Sequence, residues 1–191
     1  MNNLYKIHIE NILHSLSLID REKHNKIVEE IFLCKGVIYF TGIGKNGHIA
    51  ATAASTYASL GIRSIYINPV DAVHGDMGNL QKEDIVFSIS KSGNTEELIN
   101  FLLKVKEKEI KIFSLHSNIN SKSQDISTHN IVVPDIFEAD PFNIVPTVSI
   151  ASYIIVLQSI GIDVANKKNF NLKQFKNNHP GGTIGFKLKN E

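Results

Sequence analysis

Apolar residues recur at helical spacing through residues 2–33, and the run breaks near "SLIDREK", where Asp20 is placed to cap a second helix. The period then changes. "GVIYFTG" (36–42) is a continuous apolar run closed by glycine, the pattern of a strand buried on both faces of a parallel sheet. The Ala-rich "NGHIAATAASTYASLG" that follows reads as a helix with Gly61 at its C-terminal cap. "RSIYIN" (63–68) and "DIVFSIS" (84–90) are the next strands, and "TEELINFLLKVKEKE" is an amphipathic helix. "KIFSLH" (111–116) and "NIVVP" (130–134) add two more strands, before a last long helix at about 147–160. Five strands alternating with helices predict an α/β fold: a three-layer sandwich with a five-stranded parallel sheet and helices on both faces.

A chain of 191 residues suits a single domain, taken here as 1–191, with helices at 2–33, a sheet core at 36–161 and a C-terminal segment at 171–187. There is no internal repeat and no linker of low complexity. The tail would pass as frayed, but "HPGG" is specific turn chemistry. An apolar fraction of 42% and a charged fraction of 20% are ordinary for a soluble globular protein. The net charge of +1 gives no bulk electrostatic case for a nucleic acid or an anionic membrane. The lone Cys34 excludes an internal disulfide and a Cys-based zinc cluster, which fits a reducing, cytoplasmic setting. The N-terminus lacks the apolar core of a signal peptide, and "TVSIASYIIVLQSIGIDVA", interrupted by Ser149, Ser152, Gln158 and Ser159, reads as a buried helix rather than a membrane span.

Ligands of open parallel sheets sit at the carboxyl ends of the strands. "DIVFSIS" delivers Ser90, Lys91, Ser92, Gly93, Asn94 and Thr95 to that edge, in the turn that enters the next helix. Small hydroxyl donors, a glycine and a helix N-terminus make an anion cradle suited to a phosphate monoester. The same residues also serve as ordinary helix caps. "TGIGKNGH" (41–48) is a second glycine-rich turn between a strand and a helix. It matches GxGxxG, but "RSIYIN" ends in Asn68 and supplies no acidic residue for a ribose, and no Lys-Ser/Thr pair makes it a Walker loop. Two neighbouring cradles suit one small phosphorylated molecule.

"TGIGKNGHIA", "HGDMG", "SISKSGNTEEL", "FEADPFNIVPT" and "HPGGTIG", in that order, resemble the arabinose-5-phosphate isomerases. These are sugar-isomerase (SIS) domain proteins with a flavodoxin-like fold, and the resemblance covers roughly residues 5–187. It implies interconversion of D-ribulose 5-phosphate and D-arabinose 5-phosphate without a cofactor, for the Kdo sugar of lipopolysaccharide or capsule. Many members carry C-terminal CBS domains; this chain looks like the short form without them. The resemblance also implies a homo-oligomer, taken as a tetramer, with active sites at subunit interfaces where His74 or His179 acts on a neighbour's substrate.

Aldose–ketose isomerisation needs a base near C1 and C2, an electrophile for the enediolate and a phosphate anchor. The resemblance implies Lys45, Glu97, Glu138 and His179 for the chemistry and a substrate contact at His74; Gly44, in the Lys45 turn, is expected to bind substrate as well. Taken alone, Lys45 is a solvated lysine or an anion contact, and Glu138 a surface carboxylate. Glu97, three residues after Asn94, fits a capping box as well as it fits chemistry. His179 suits a proton shuttle, with Glu97 or Glu138 beside it. His48 begins a helix and has a supporting role as its plainer reading; His14, His24, His116 and His129 are read as surface or core. Related proteins often have a zinc-associated histidine where this chain has Asn68, a poor zinc ligand, so no metal is expected there. The competing readings are a phosphoheptose or phosphohexulose isomerase, which "HGDMG" and "HPGG" disfavour, and a sugar-phosphate-sensing regulator. The regulator would need a basic DNA-reading domain that the first 35 or so residues do not make.

Overall fold

A computed structural model describes residues 3–134 and 136–182. Two helices open the chain, α1 (Leu4–Ser17) and α2 (Arg21–Leu33), and the break between them falls where expected. The Asp20 carboxylate accepts from the backbone amides of Glu22 and Lys23, which caps α2. The sheet follows as β1 (Ile38–Gly42), β2 (Ser64–Tyr66), β3 (Ile85–Ile89), β4 (Lys111–His116) and β5 (His129–Val132), all parallel. Between the strands run α3 (Lys45–Ser59), α4 (Pro69–Ala72), a 3-10 turn at Asp76–Asn79, α5 (Glu96–Glu107) and α6 (Lys122–Ile126). After β5 come α7 (Val148–Lys167) and α8 (Leu172–Asn178).

The strand order is β2-β1-β3-β4-β5, so the chain moves outward from β1 to β2 and then back across to β3. The topological switch therefore lies between β1 and β3, and the crevice outside their carboxyl ends is the place such sheets keep for ligands. Both strands are buried along their whole length, which explains their unbroken apolar runs.

Alternate residues feed two cores. Ile38, Phe40, Phe87, Phe113 and Leu115 pack against α2, α3 and α7, while Tyr39, Val86 and Ile112 pack against α4 and α5. Phe40 stacks on Phe87 at 5.5 Å and Phe113 meets Phe87 edge-on at 5.8 Å, so three neighbouring strands share one aromatic spine. Each fully buried ring of this kind contributes roughly 1.5–3 kcal/mol. By length and composition α7 is apolar enough to cross a membrane, but it packs against α1, α2 and α3 as a core helix. It runs seven residues beyond its expected end because "IDVANK" keeps Val164 and Ala165 on the buried face. The short elements α4, α6 and α8 went unforeseen.

Candidate active site

The N-terminal caps locate the site. Among the described residues, five of the eight α-helices are capped by their own N-cap side chain. The exceptions are α3, α5 and α7, which start at Gly44, Thr95 and Thr147 without such a bond. An uncapped helix start presents unpaired amides and the positive end of the helix dipole. The two at α3 and α5 lie at the carboxyl ends of β1 and β3, on either side of the switch point.

An open cavity of about 600 Å³ fills this crevice. Ser90, Lys91, Ser92 and Thr95 line it from the β3–α5 turn, and Asn46 from the first turn of α3. Ser117 and Asn118, just after β4, and Ile136 complete the wall. The Ser90 hydroxyl accepts from the Gly93 amide at 3.1 Å and lies 3.4 Å from the Thr95 hydroxyl, so the turn is tied by the groups that face the cavity. Gly93 is required here twice over: its φ of +64° favours glycine, and a Cβ would lie 2.5 Å from Ser121 Cβ. Gly42 is required by contact, since a Cβ would come within 3.0 Å of the Asn46 and Ile89 backbones.

Of the six turn residues expected, Ser90, Lys91, Ser92 and Thr95 line the cavity, and Gly93 and Asn94 do not. The Asn94 side chain accepts from the Lys122 amide at 2.8 Å and ties the turn to α6. The capping box expected of Asn94 and Glu97 is not formed either, because the N-cap is Thr95. Glu97 is exposed at the second position of α5, and among the described residues its carboxylate has no hydrogen bond or ion pair. A structural reason for a glutamate there is reduced to the helix dipole. Lys45 opens α3 beside Asn46 and is exposed, as is Gly44.

Glu138 is not the surface carboxylate that its sequence context indicates. Its side chain is fully buried and pairs with the Lys91 ammonium. Oε1 also accepts from the Ser149 hydroxyl at 2.5 Å, while Oε2 accepts from the Thr147 and Ser149 amides at 2.7 and 3.2 Å and from the Thr147 hydroxyl at 3.2 Å. Glu138 thereby caps α7, whose own N-cap side chain does not. Burial works against its charge, but Lys91, the Ser149 hydroxyl and the two amides outweigh burial and hold the carboxyl at about 2. A carboxylate so fully engaged is a poor proton acceptor. The loop behind it is organised in the same way: Asp140 accepts from the amides of Phe142, Ile144 and Val145.

His179 lies elsewhere in the chain. It ends α8, stacks on Phe175 at 4.0 Å and bonds through Nδ1 to the Phe175 carbonyl at 3.0 Å. Its neighbour Asn178 donates to the Ser59 carbonyl at 3.2 Å, at the last residue of α3. Lys45 is the first residue of the same helix, and at 1.5 Å per residue the two ends are roughly 20 Å apart. Residues 183–187 of the expected C-terminal active-site segment lie outside the described residues. His74 is exposed on the connection after α4 and does not line the cavity. Asn68 uses its side-chain oxygen to cap α4 through the Val70 amide at 2.9 Å. Among the other histidines, His116 is fully buried at the end of β4, and burial pushes its imidazole below the usual range. Asn46, Ser117 and Asn118 escaped the sequence reading; the rule that ligands gather at the carboxyl ends of strands, applied to β4 as well as β3, would have found the latter two.

Comparison with known proteins places this geometry in a family. The SIS domain model matches residues 31–161, which takes in the sheet and most of α7. Arabinose 5-phosphate isomerase KdsD of Francisella tularensis is 33% identical over 189 residues, 96% of this chain and 57% of that protein. The Yersinia pestis KdsD is 30% identical over 87% of this chain and 51% of its own length, so the chain spans about half the length of the curated relatives it matches. Among solved structures, a Listeria monocytogenes protein assigned as a sugar-phosphate isomerase superposes with a TM-score of 0.87 at 30% identity, covering 94% of this chain and 96% of that one. A protein of Escherichia coli CFT073, solved in complex with arabinose 5-phosphate, has a TM-score of 0.78 at 28% identity over 94% of this chain and all of its own. By the span of the family match and by the fold, the chain belongs to the SIS domain family.

Proposed function

We propose that this protein is a cytoplasmic aldose–ketose isomerase that interconverts D-ribulose 5-phosphate and D-arabinose 5-phosphate, supplying the sugar acid of lipopolysaccharide or capsule. The observation that carries this reading is the cavity between two uncapped helix N-termini, lined by Ser90, Ser92 and Thr95; Glu97, whose carboxylate is unpaired among the described residues, stands in the first turn of the α5 helix that begins there. The likeness to KdsD proteins and to a structure in complex with arabinose 5-phosphate supports the five-carbon substrate.

Starting from the ketose, a base removes a proton from C1 and the electrons move to the C2 carbonyl oxygen; the enediolate then takes the proton at C2 while the O1 proton passes to O2, which leaves the aldehyde at C1 and a hydroxyl at C2. The phosphate sits on the α3 and α5 amides and the turn hydroxyls. Lys45, at the rim, offers positive charge to the enediolate oxygen. Of the two carboxylates, Glu97 is the one free to exchange a proton, since Glu138 is saturated. His179, roughly 20 Å from Lys45 within one chain, serves the cavity of another copy, which is how a homotetramer with sites at its subunit contacts would complete them.

The test is to incubate purified protein with ribulose 5-phosphate and with sedoheptulose 7-phosphate and to resolve the products. Formation of arabinose 5-phosphate supports the proposal. Turnover of the seven-carbon ketose alone would transfer the protein to the phosphoheptose isomerases, and inertness toward both would overturn the reading.

A further inference from the structure

The cation of the cradle is shared with an anion that the chain itself supplies. Among the described residues, Lys91 is the one charged residue lining the cavity, and its side chain is 35% exposed. Behind it, the Glu138 side chain is fully buried and takes the ammonium in an ion pair. The two charges cancel, so the described lining as a whole is neutral. The pair also spans two helix starts. Lys91 belongs to the turn that enters α5, and Glu138 closes the start of α7. Of the three helix N-termini that lack a cap of their own, two are open to a ligand anion and the third already holds this internal one. A phosphate seated on the open pair arrives within reach of the same ammonium that Glu138 holds.

We propose that Glu138 is a positioning residue that acts through Lys91: it holds the ammonium against the cavity wall when the cradle is empty and gives it up, in part, to the phosphate of a bound sugar phosphate. The internal carboxylate is thus a built-in competitor that limits anion affinity and favours release of the product. This rests on the phosphate-cradle reading above.

The substitution Glu138→Gln separates this role from plain helix capping. The glutamine oxygen can still accept from the Thr147 and Ser149 amides, and its NH2 group can donate to the Ser149 hydroxyl, but it cannot hold an ammonium. Lys91 is then free for the ligand. Calorimetric titration with inorganic phosphate is expected to show Glu138→Gln binding about tenfold more tightly than the wild type, the scale of one charge-assisted hydrogen bond. In a Lys91→Met background the same substitution should change phosphate affinity by less than about twofold, because the mediator is gone. A lower melting temperature is expected under both readings. A merely structural cap predicts phosphate binding that is unchanged or weaker, and that result overturns the proposal. So would a wild-type protein that binds no phosphate.

Should Glu138→Gln fail to fold, the wild type still decides. With 13C-labelled glutamate, the Glu138 carboxyl resonance can be assigned through its connectivity to the backbone. It should shift on saturation with phosphate and not with equivalent chloride; an unmoved resonance overturns the proposal. Turnover of ribulose 5-phosphate measured on the same preparations keeps the two readings apart. Phosphate affinity indifferent to Glu138 in an active isomerase ends the latch alone, whereas a Glu138-dependent phosphate site without isomerisation ends the isomerase reading alone.

Discussion

Acid should reach the fold through Glu138. Its carboxyl is held at about 2 in the folded chain against an ordinary 4.5, so folding favours its ionised form. The difference of roughly two and a half pH units, at about 1.36 kcal/mol per unit, corresponds to about 3 kcal/mol of stability. The sign follows from the lowered value. The contribution is complete above pH 4.5, where the unfolded chain also carries the charge, and is lost as pH falls from there through about 2. Other carboxylates titrate over the same interval, Glu30 beside Lys111 among them, so a bare acid denaturation curve would not isolate the effect. The difference between wild type and Glu138→Gln does. Glutamine mimics the protonated acid, and Lys91, a third exposed, can turn to water rather than be stranded as a buried cation. Urea denaturation of both proteins should give a gap of about 3 kcal/mol from neutral pH down to about pH 5, narrowing toward zero as pH approaches about 2. A gap that stays constant over the whole range would refute the electrostatic account and leave Glu138 as a matter of packing and hydrogen-bond shape.

Glu97→Gln should melt within a degree or so of wild type, because among the described residues its carboxylate holds no contact, while kcat falls by at least about 10²-fold. Retention of more than about a third of kcat would remove Glu97 from the chemistry. Gly93→Ala should cost at least about 1–3 kcal/mol, since it combines a positive φ with a Cβ pressed into Ser121, and thermal denaturation together with phosphate affinity reads both consequences. Isomerase activity should survive dialysis against a chelator, because Asn68 spends its side-chain oxygen capping α4; activity lost to the chelator and restored by zinc would contradict this.

The sheet was legible because each of its strands is a short apolar run standing between glycine or polar turns, and local pattern suffices for that. The hydroxyls that line the cavity were legible for the same reason: Ser90, Ser92 and Thr95 follow a strand directly. The order β2-β1-β3-β4-β5 was not read from the pattern, which marks strands but not their neighbours in the sheet. What escaped depends on contacts far along the chain. Asn94 looked like a cap until its bond to the Lys122 amide, 28 residues away, turned it toward α6. Glu138 looked solvated because "FEADP" is polar, and nothing local reveals that Lys91, 47 residues earlier, and the start of α7 close over it. His179 carried a motif but no address.

That missing address bears on how such a site is assembled. Residues near Lys45 are fixed by the β1–α3 turn, and Asn178 is fixed at the other end of the same helix, so no small adjustment brings His179 to the cavity within one chain. A rigid helix of fifteen residues acts as a spacer of roughly 20 Å. In the oligomer proposed above, the same rigidity would present His179 at a fixed distance from its own chain's cavity and so at a defined place for a neighbour's. The internal pair of Lys91 and Glu138 follows a different logic. It holds Lys91 and satisfies the α7 start without a ligand, so on the proposed function each copy would bind an anion by itself, while the contribution of His179 would wait on assembly. Dilution of the protein below the dissociation constant of such an oligomer should accordingly abolish turnover and leave phosphate binding intact.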